Sequence, residues 1–489
     1  MNDSPMSLSP LARAVHRSSG RACVVAALLL IGACATPSRD ATERAVQQRI
    51  DASVGVPPAG TGDAARVDAE VRELLGRSIT SDNAVRIALL RNPRVAAHFA
   101  QLGISRAALI EASRIGNPEL SAARITGDGE RITTLGLTQS LSDLLLLSSR
   151  RRFAQGESAR AEDLAVAAIA ELAADVEVAW LDAVGAEQVA RMRAAAGRAA
   201  QLSAELAERF FKAGNISELQ LTLERAAAAQ ARVATLRATA EAGRLKLRLQ
   251  QQMGLAGSPD WTLVAQLAAP PAQEQAIEPL LDLARQRRAD LAAARRHGDL
   301  LADALAVARR WRWLGHVEVG VERERETDGA RLSGPTLALA LPIFSQGQAG
   351  IARAEAELAA SRAALAELEA AIDHDVRLAA AAVAANRAIA EEFRASLVPQ
   401  HELIVQRQQQ RQNFMFIGQF ELLYSKQQEY DTYQGYLEAV RDYWLARAAL
   451  SRATGGRLPG DAGDAGPVIG VEAVLGTPDA PEPEQDKQP

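Results

Sequence analysis

The chain has 489 residues and a formal net charge of −5, and 48% of its residues are hydrophobic although only 4% are aromatic. Ala and Leu therefore make up most of the hydrophobic residues, which favours closely packed helices over a broad globular core. The negative charge provides no basic surface for nucleic acid, so that class of partner is not expected.

Residues 1–33 are typical of a secretory signal peptide. Three arginines precede an apolar run, residues 22–31, that is too short to cross a bilayer. The run continues as Ile31-Gly32-Ala33-Cys34, which resembles a bacterial lipoprotein box, so Cys34 is the expected site of a covalent lipid. The alternative is an ordinary signal peptide with an incidental cysteine. Because Ala35 is not an aspartate, the resemblance favours the outer membrane over the inner one.

The mature chain is expected to begin with a tether and to continue as two repeats. Residues 34–79 are rich in Pro, Gly, Ala and Asp, as in a tether that can dock on the body of the chain. A first repeat is predicted over residues 80–254, a linker that acts as a hinge over 255–276 and a second repeat over 277–454. Residues 455–489, rich in Gly, Pro, Asp and Glu, are predicted to be disordered.

Two stretches change from the period of a strand to the period of a helix. From Thr336, the sequence TLALALPIFSQGQAGIARAEAEL alternates up to Leu341, and helical spacing follows Pro342. An earlier copy, TLGLTQSLSDLLLL, begins at Thr134. Each repeat is thus predicted to contain a leading helix, two strands, a very long helix and a return helix. The predicted strands are Glu119–Thr126, Ile132–Leu141, Val317–Arg323 and Leu332–Leu341, and the predicted helices are residues 80–115, 142–212, 218–253, 278–312, 346–412 and 420–454.

Four strands cannot close a barrel by themselves, since about eight strands form the smallest barrel. Each run has about the length of a tilted membrane-spanning strand. If the strands enter a membrane, several chains must contribute to one barrel, and three chains would give twelve strands. Alternation then assigns a lipid-facing set, namely Val317, Val319, Val321, Leu337, Leu339 and Leu341, and a lumen-facing set, namely Glu318, Glu322, Ala338 and Ala340.

Aromatic residues flank the second pair of predicted strands. Trp311 and Trp313 precede the third strand and Phe344 follows the fourth. They are placed for an aromatic girdle at a membrane interface, although packing at a strand–helix junction would also explain them.

The turns after the two long helices are the strongest candidates for a functional site. Of the nine phenylalanines, five fall at these turns, which suggests a partner surface or a closed constriction; the alternative is that they pack the two turns against each other. A turn between long helices needs only a glycine and a capping residue, so Gly214 and Ser217 have a structural explanation. The charged residues Lys212, Glu218 and Glu421 could form gating ion pairs. The candidate residues are Phe210, Phe211, Lys212, Gly214, Ser217, Glu218, Phe414, Phe416, Gly418, Phe420 and Glu421.

No catalytic, cofactor-binding or metal-binding pattern is found, so an enzyme is not expected. The sequence contains no phosphate-binding glycine loop and no nucleophile elbow. The one local cluster, Asp373-His374-Asp375, consists of helix neighbours whose side chains diverge and cannot converge on one metal ion. The lipid on Cys34 is the only covalent group expected.

Four segments together resemble the TolC-like outer membrane factors of tripartite efflux pumps and type I secretion systems. They are SDNAVRIALLRNP, FKAGNISELQLTLERAAAAQA, LPIFSQGQAGIARAEAEL and DYWLARAALSRATGG, and the resemblance covers about Thr80 to Gly456. It implies a mainly α fold with a small β part: a homotrimer with an internally duplicated α-barrel of long helices and a twelve-stranded transmembrane β-barrel. It also implies a periplasmic gate at the helix turns, a periplasmic adaptor (membrane fusion) protein and an inner-membrane transporter of the resistance-nodulation-division type.

The expected function is a passive exit duct in the outer membrane of a Gram-negative bacterium, lipid-anchored and extending into the periplasm. The alternatives are a type I secretion channel and a structural coiled-coil lipoprotein of the periplasm. The second turn, NFMFIGQF, lacks the Ala-Gly of Lys212-Ala213-Gly214, which leaves its local geometry open. The acidic residues of the lumen-facing set would suit cationic cargo, but they do not identify a substrate.

Overall fold

The structure is a computed structural model that describes residues 39–55, 64–127, 130–257, 260–271 and 273–458. The chain divides into two compact units, Met1–Ala45 and Val46–Pro489. Of the first unit only residues 39–45 are described, and they are helical. The second unit contains both repeats and is the subject of the following sections.

Helices make up most of the described chain, and four strands form one small sheet. The helices and strands follow one another in the same order in both repeats. In chain order they are α1 (Arg39–Val54), α2 (Ala64–Leu75), α3 (Ser81–Arg91), α4 (Pro93–Ala112), β1 (Glu119–Gly127), β2 (Glu130–Ser140), α5 (Leu141–Lys212), α6 (Glu218–Gln252), α7 (Ile277–Arg287), α8 (Ala289–Arg310), β3 (Val317–Arg325), β4 (Arg331–Leu339), α9 (Gln348–Glu392), a π-helical turn (Phe393–Leu397), α10 (Val398–Asn413) and α11 (Gln419–Ala453).

The duplication is visible in the lengths of equivalent elements. The return helices α6 and α11 each have 35 residues, and the short leading helices α3 and α7 each have 11. Helix α5 has 72 residues, which at 1.5 Å per residue is a rod of about 108 Å. The second long helix runs from α9 through the π-helical turn into α10. In each repeat, therefore, a pair of strands is followed directly by a very long helix.

Each leading helix is two helices, and only the first break has a clear sequence signal. Asn92 ends α3 with extended backbone, its side chain accepts a hydrogen bond from the Arg94 N–H (2.9 Å), and Pro93 opens α4. The prediction of one helix over residues 278–312 is wrong, because Arg288 has the same extended backbone and separates α7 from α8.

The second long helix contains a local defect at a proline. Pro399 lies in the first turn of α10, directly after the π-helical turn. A proline inside a helix lacks an N–H and clashes with the carbonyl four residues earlier, and the wider π-helical turn accommodates both effects. Gly435 of α11 faces this turn, since a Cβ there would lie 2.7 Å from the Phe393 ring. The predicted unbroken helix over 346–412 is therefore interrupted.

The core consists of two clusters that share helix α11. The larger cluster surrounds α5, with Trp180 donating its indole N–H to the Ile79 carbonyl (2.9 Å). The smaller cluster joins α7, α8 and α9 to the C-terminal half of α11 around Tyr443. Among the helices of the described ranges, none has both the length and the apolarity required to cross a bilayer.

A buried carboxylate connects the first long helix to two other segments. The Asp163 side chain is 2% exposed and forms ion pairs with Arg49 (2.8 Å) and with Arg296 (3.0 Å). Arg49 lies on α1, Asp163 on α5 and Arg296 on α8. This carboxylate therefore joins the segment before the first repeat, the first repeat and the second repeat.

The segment predicted as a tether and the inter-repeat linker are more structured than their compositions indicate. Val71 and Ile79 of the segment 34–79 are buried. In the linker, Trp261 and Leu267 are buried, and the Ile79 N–H bonds the Thr262 carbonyl (2.8 Å). The linker is thus packed and does not have the exposed character expected of a hinge.

The first four residues of the predicted disordered tail, residues 455–458, are described and pack against the rest of the chain. The Arg457 N–H donates to the Ser53 carbonyl (3.1 Å), and Leu458 is buried. Residues 459–489 lie outside the described residues, as do residues 1–38 and 56–63, which comprise the whole predicted signal peptide and parts of the predicted tether.

Candidate functional site

The four strands form one antiparallel sheet in the order β1-β2-β3-β4. Val317 pairs with Leu339, Val319 with Leu337, and Glu318 with Ala338. Since paired residues project to the same side of a sheet, the predicted lipid-facing and lumen-facing sets lie on opposite faces. Strands β1 and β4 pair on one side only, so each leaves an open edge within the described chain.

One face of the sheet carries large apolar side chains that are exposed in the single chain. We call it the apolar face. Leu120, Leu337 and Leu339 are 74%, 70% and 52% exposed. Burying such a leucine is worth about 1.5–3 kcal/mol, so a face of this kind is unfavourable in water. The apolar members of the face are Leu120, Ala122, Leu135, Leu137, Val317, Val319, Val321, Pro335, Leu337 and Leu339.

The opposite face carries small residues, threonines and glutamates, with Ile125, Ile132 and Leu332 next to the hairpin turns, and we call it the acidic face. It includes all five glutamates of the strands, namely Glu119, Glu130, Glu318, Glu322 and Glu324. The Glu318 carboxylate contacts His316 Nε2 at 2.7 Å. Gly136 of this face packs closely on Ser121, because a Cβ at Gly136 would lie 2.4 Å from the Ser121 hydroxyl oxygen. The sequence prediction named Glu318 and Glu322. It missed Glu119 and Glu130 because it assigned faces only for the second pair of strands, and it missed Glu324 because it ended the third strand at Arg323.

Two residues of the predicted sets lie outside the sheet. Strand β4 ends at Leu339, so Ala340 and Leu341 have no place in the alternation. The partner strand β3 begins at Val317, and beyond it only one bond remains, from the Ala340 N–H to the His316 carbonyl (2.9 Å). The predicted strand Leu332–Leu341 therefore extends two residues too far, and the assignments of Ala340 to the lumen and of Leu341 to the lipid face stay predictions.

Of the three aromatic residues at the base of the sheet, Trp311 is half-buried and the other two are exposed. Trp313 is 53% exposed and Phe344 is 95% exposed. The Arg312 guanidinium lies over the Trp313 ring, 4.6 Å from its centroid. Packing within the chain therefore does not account for Trp313 or Phe344.

The two turns at the far ends of the long helices have the same backbone design. The first turn comprises residues 213–217 and the second turn residues 414–418. In the first, the Asn215 N–H bonds the Phe210 carbonyl (2.8 Å) and the Gly214 N–H bonds the Phe211 carbonyl (2.9 Å). In the second, the Phe416 N–H bonds the Arg411 carbonyl (2.9 Å) and the Met415 N–H bonds the Gln412 carbonyl (2.8 Å), which is the same pattern. Both are Schellman motifs, which satisfy the last carbonyls of a helix.

The second turn reaches this geometry without glycine. Gly214 has a φ of +73°, which glycine adopts freely, and Met415 has a φ of +61°. A non-glycine residue in this region costs about 1–2 kcal/mol. The missing Ala-Gly pair therefore leaves the shape of the second turn unchanged and adds local strain.

The five phenylalanines at the turns fall into two groups. The Phe210 and Phe420 rings meet edge to face, with centroids 6.1 Å apart, and so join the two turns. Phe414 and Phe416 are each 74% exposed, beside Met415 at 92%, and Phe211 is also exposed. The first group matches the structural alternative considered above, whereas the second group covers nothing within the described chain.

The charged and capping residues of the turns have local partners. Ser217 caps α6 by accepting from the Gln220 N–H (3.2 Å), while Gly418 begins α11 without a side-chain cap. Lys212 pairs with Glu208 (3.0 Å), and this hydrogen bond and charge lower the pKa of the Glu208 carboxyl. Glu218 and Glu421 lie in the first turns of α6 and α11, where a carboxylate complements the helix dipole.

The remaining predictions concern groups away from these faces. Cys34 lies outside the described residues. The Asp373 carboxylate is engaged by Arg377 (2.8 Å), and no group of three or more potential metal ligands occurs within the described ranges.

No protein-family model and no curated protein matches the sequence. Solved structures do match it. A membrane protein from Pseudomonas aeruginosa has 20% identity and a TM-score of 0.63, over 80% of this chain and 94% of that one. The outer-membrane channel OprN has 16% identity and a TM-score of 0.65, over 83% and 95%. The Campylobacter jejuni outer membrane channel CmeC has 14% identity and a TM-score of 0.62, over 80% and 85%.

These similarities cover nearly the whole length of the solved channels. The chain has the fold of the TolC-like outer membrane channels, as the sequence resemblance led us to expect. The predicted fold class, mainly helical with a small sheet and two long-helix repeats, is confirmed.

Proposed function

We propose that the chain is one subunit of a trimeric outer-membrane exit duct, through which an inner-membrane transporter and a periplasmic adaptor pass substrate to the outside. The single observation that carries this proposal is the sheet. It has two open edges and an exposed apolar face backed by an acidic one. The similarity to solved outer membrane channels supports the proposal through the fold.

The sheet explains why several copies are needed. In a bilayer every backbone N–H and C=O must be bonded, so a sheet with open edges is excluded there. Pairing β1 of one copy with β4 of the next removes both edges, and three copies give a twelve-stranded barrel. The apolar face then contacts lipid, and the acidic face lines the lumen. The aromatic residues Trp313 and Phe344 lie at the inner interface of this barrel.

The helices offer a second surface for neighbouring copies. Helix α6 exposes apolar residues seven positions apart, a spacing that places them on one stripe of the helix and favours packing against another helix. The members of this stripe are Leu219, Ala226, Val233, Ala240 and Leu247. The second long helix also exposes apolar residues, among them Leu378, Ile389 and Leu403. We propose that these two surfaces meet between subunits and form the wall of the periplasmic tunnel.

The turns are the proposed gate and adaptor-docking tip. Phe210 and Phe420 pack the two turns of one subunit against each other. The exposed Phe414, Met415 and Phe416 are then available to neighbouring subunits or to the adaptor. Opening is an iris-like shift between two packings of these turns, biased by the adaptor. Cys34 carries the proposed lipid anchor.

The structural-lipoprotein alternative is disfavoured because a periplasmic rod has no use for an exposed apolar sheet. The choice between an efflux pump and a type I secretion system rests with the partner transporter. The acidic face favours cationic cargo over anionic cargo.

Two measurements test the duct. Purified protein in a planar bilayer should give discrete conductance steps that are larger for cations. Cysteines at Ser121 of β1 and Thr336 of β4, both on the acidic face, should be joined between chains by a flexible bis-maleimide to give dimers and trimers. Each single-cysteine variant is the control. A silent bilayer together with a monomer after cross-linking would reject the proposal.

A variant of the turns tests the gate. Phe416→Ala should weaken adaptor pull-down or raise leak conductance, because Phe416 is exposed and makes no contact with the other turn. Phe153→Ala, also at an exposed phenylalanine but on the opposite half of α5, is the matched control. Unchanged docking and unchanged leakage in Phe416→Ala would refute the role assigned to the second turn.

A further inference from the structure

The charges of the strands are completely divided between the two faces of the sheet. All five arginines of the strands lie on the apolar face, whereas all five glutamates lie on the acidic face. We call these arginines the arginine patch, and its members are Arg124, Arg131, Arg323, Arg325 and Arg331. The proposed lumen accounts for the glutamates. Nothing described so far accounts for arginines on a face that contacts lipid.

The arginine patch lies at one end of the sheet, next to the hairpin turns. The register places Arg124 opposite Thr133, Thr133 opposite Arg325, and Arg325 opposite Arg331. These four residues form one row across all four strands, with neighbouring strands about 4.8 Å apart. Arg323 lies two residues below the row, and Arg131 lies two residues above it.

Among the residues of the described strands, no acidic side chain lies on the same face as the patch. Arg325 and Arg331 are directly opposite each other, and like charges in that position destabilise a sheet. All five side chains are exposed, and none forms an ion pair within the described ranges. The nearby Asp328 carboxylate accepts from the Ala330 N–H (2.8 Å) within its own turn. An external anion would therefore relieve a repulsion that the chain leaves in place.

The position of the patch matches one membrane interface. From Val317 at the base to Arg325 the strand advances by about 26 Å at 3.3 Å per residue. An apolar band of a membrane barrel is about 25 Å tall. At a strand tilt of about 40° the row lies about 20 Å above Val317 along the membrane normal. Since Trp313 precedes Val317 in the chain, the row lies near the far edge of an apolar band that begins at the aromatic residues. Because the long helices leave the sheet at its base, the patch lies at the interface remote from the periplasm.

We propose that the arginine patch binds the phosphate groups of lipids in the outer leaflet, while the apolar rows below it contact their acyl chains. The inference rests on the proposed membrane barrel. Guanidinium groups bind phosphate through paired, charge-assisted hydrogen bonds. A phosphorylated lipid is the ligand that satisfies both parts of this face at once, since it presents an anion directly above hydrocarbon. A soluble anion would leave the leucine and valine rows exposed.

Native mass spectrometry of the full-length trimer tests this binding. The protein is exchanged into mixed micelles that contain equal amounts of diphosphoryl lipid A and the same lipid with its phosphates removed. The wild type should retain the phosphorylated form in preference. Replacing all five arginines by Gln should reduce that preference about tenfold, since several charge-assisted hydrogen bonds are lost.

Three variants control for charge, for folding and for the opposite face. Replacing the five arginines by Lys keeps the charge and should keep part of the preference. Arg325→Gln with Arg331→Gln removes the repelling pair alone and should lose part of it while leaving a stable trimer. Replacing the five glutamates by Gln should leave lipid retention unchanged.

Equal retention of both lipids by the wild type, or an undiminished preference after the Gln changes, would overturn the inference. The proposed duct is tested separately, by measuring the conductance of the protein in a bilayer of phosphatidylcholine alone. A silent protein that still selects the phosphorylated lipid would count against the duct and for the patch.

Discussion

The two repeats share an order of elements and differ in how strictly they keep it. The first long helix, α5, is unbroken over 72 residues and is buried along much of its length. The second is interrupted by a π-helical turn at Phe393–Leu397 and is mostly exposed. The first turn uses glycine where the second uses Met415. One repeat therefore acts as the rigid centre of the subunit, and the other carries the strain, the defect and the exposed surface.

This difference assigns different tasks to the two repeats. A helix packed on many sides cannot move without disrupting the core, because packed interiors resist deformation. A helix with a π-helical turn and few buried residues can bend at much lower cost. We therefore expect opening of the proposed gate to involve movement of the second long helix against a stationary α5. The four predictions below test this contrast, starting with the largest expected effect.

Removing the buried charge of α5 should have the largest effect. Asp163→Asn leaves Arg49 and Arg296 without their carboxylate, and breaking a buried ion pair costs about 3–5 kcal/mol. The loss of unfolding free energy should lie near the lower limit of this range, because both arginines are partly exposed. Urea unfolding followed by circular dichroism measures the loss.

Glu369→Gln is the matched control, since Glu369 pairs with the adjacent Arg295 at 2.9 Å in an exposed position of the second repeat. An exposed pair contributes about 0–1 kcal/mol. Equal losses in Asp163→Asn and Glu369→Gln would contradict the view that the first repeat is the rigid one.

Introducing a proline into α5 should cost about 3 kcal/mol. Arg198 is exposed and lies as far before the first turn as Pro399 lies before the second. Arg198→Pro is therefore expected to lower the unfolding midpoint clearly, while Arg198→Ala should be nearly neutral. Pro399→Ala should change stability less than Arg198→Pro, because the π-helical turn already accommodates the proline.

Exchanging the residues at the two turns should have opposite effects of about 1–2 kcal/mol. Met415→Gly removes the strain of a positive φ and should stabilise the protein. Gly214→Met should destabilise it by a similar amount, since a Cβ at Gly214 meets no atom within 4 Å and only the backbone conformation is affected. Thermal unfolding of both variants in the same detergent measures the two changes in stability. A lower stability of Met415→Gly would argue against backbone strain at Met415.

The smallest effect should come from the ring pair that joins the turns. A double-mutant cycle of Phe210→Ala and Phe420→Ala should give a coupling of about 1 kcal/mol, typical of an edge-to-face pair. Phe414→Ala combined with Phe210→Ala should give no coupling, because Phe414 lies against Phe416 (6.3 Å between centroids). Coupling in both cycles would mean that the whole tip is one cluster.

Sequence periodicity was sufficient to find the strands and the long helices, because side chains alternate every two residues in a strand and recur every 3.6 residues in a helix. It did not predict the π-helical turn that interrupts the second long helix. It was sufficient for the faces of β3 and β4 as well, where valines and leucines alternate with small and acidic residues. It extended the fourth strand too far, to Leu341, since alternation continues there after the partner strand has ended. The end of a ladder depends on the other strand, which one segment cannot show.

The break at Arg288 shows a different limit. In the first repeat Asn92-Pro93 signals a helix boundary through capping and the fixed φ of proline, but Arg288-Ala289 carries neither signal. Superposing the two repeats would have predicted the break, because the sequences are related by duplication. The division of arginines and glutamates could likewise be read only after the register had related all four strands.

The open edges of β1 and β4 also bear on how the protein is made. A single subunit exposes two strand edges with unpaired backbone groups and an apolar sheet face, which are features that lead to aggregation. The subunit is protected from aggregation only when each edge pairs with the complementary edge of another copy. The barrel closes when the last copy is added. If the chain forms the proposed trimer, we expect assembly to act as a checkpoint, because a subunit that has not met its partners keeps both edges exposed and should depend on chaperones or be degraded.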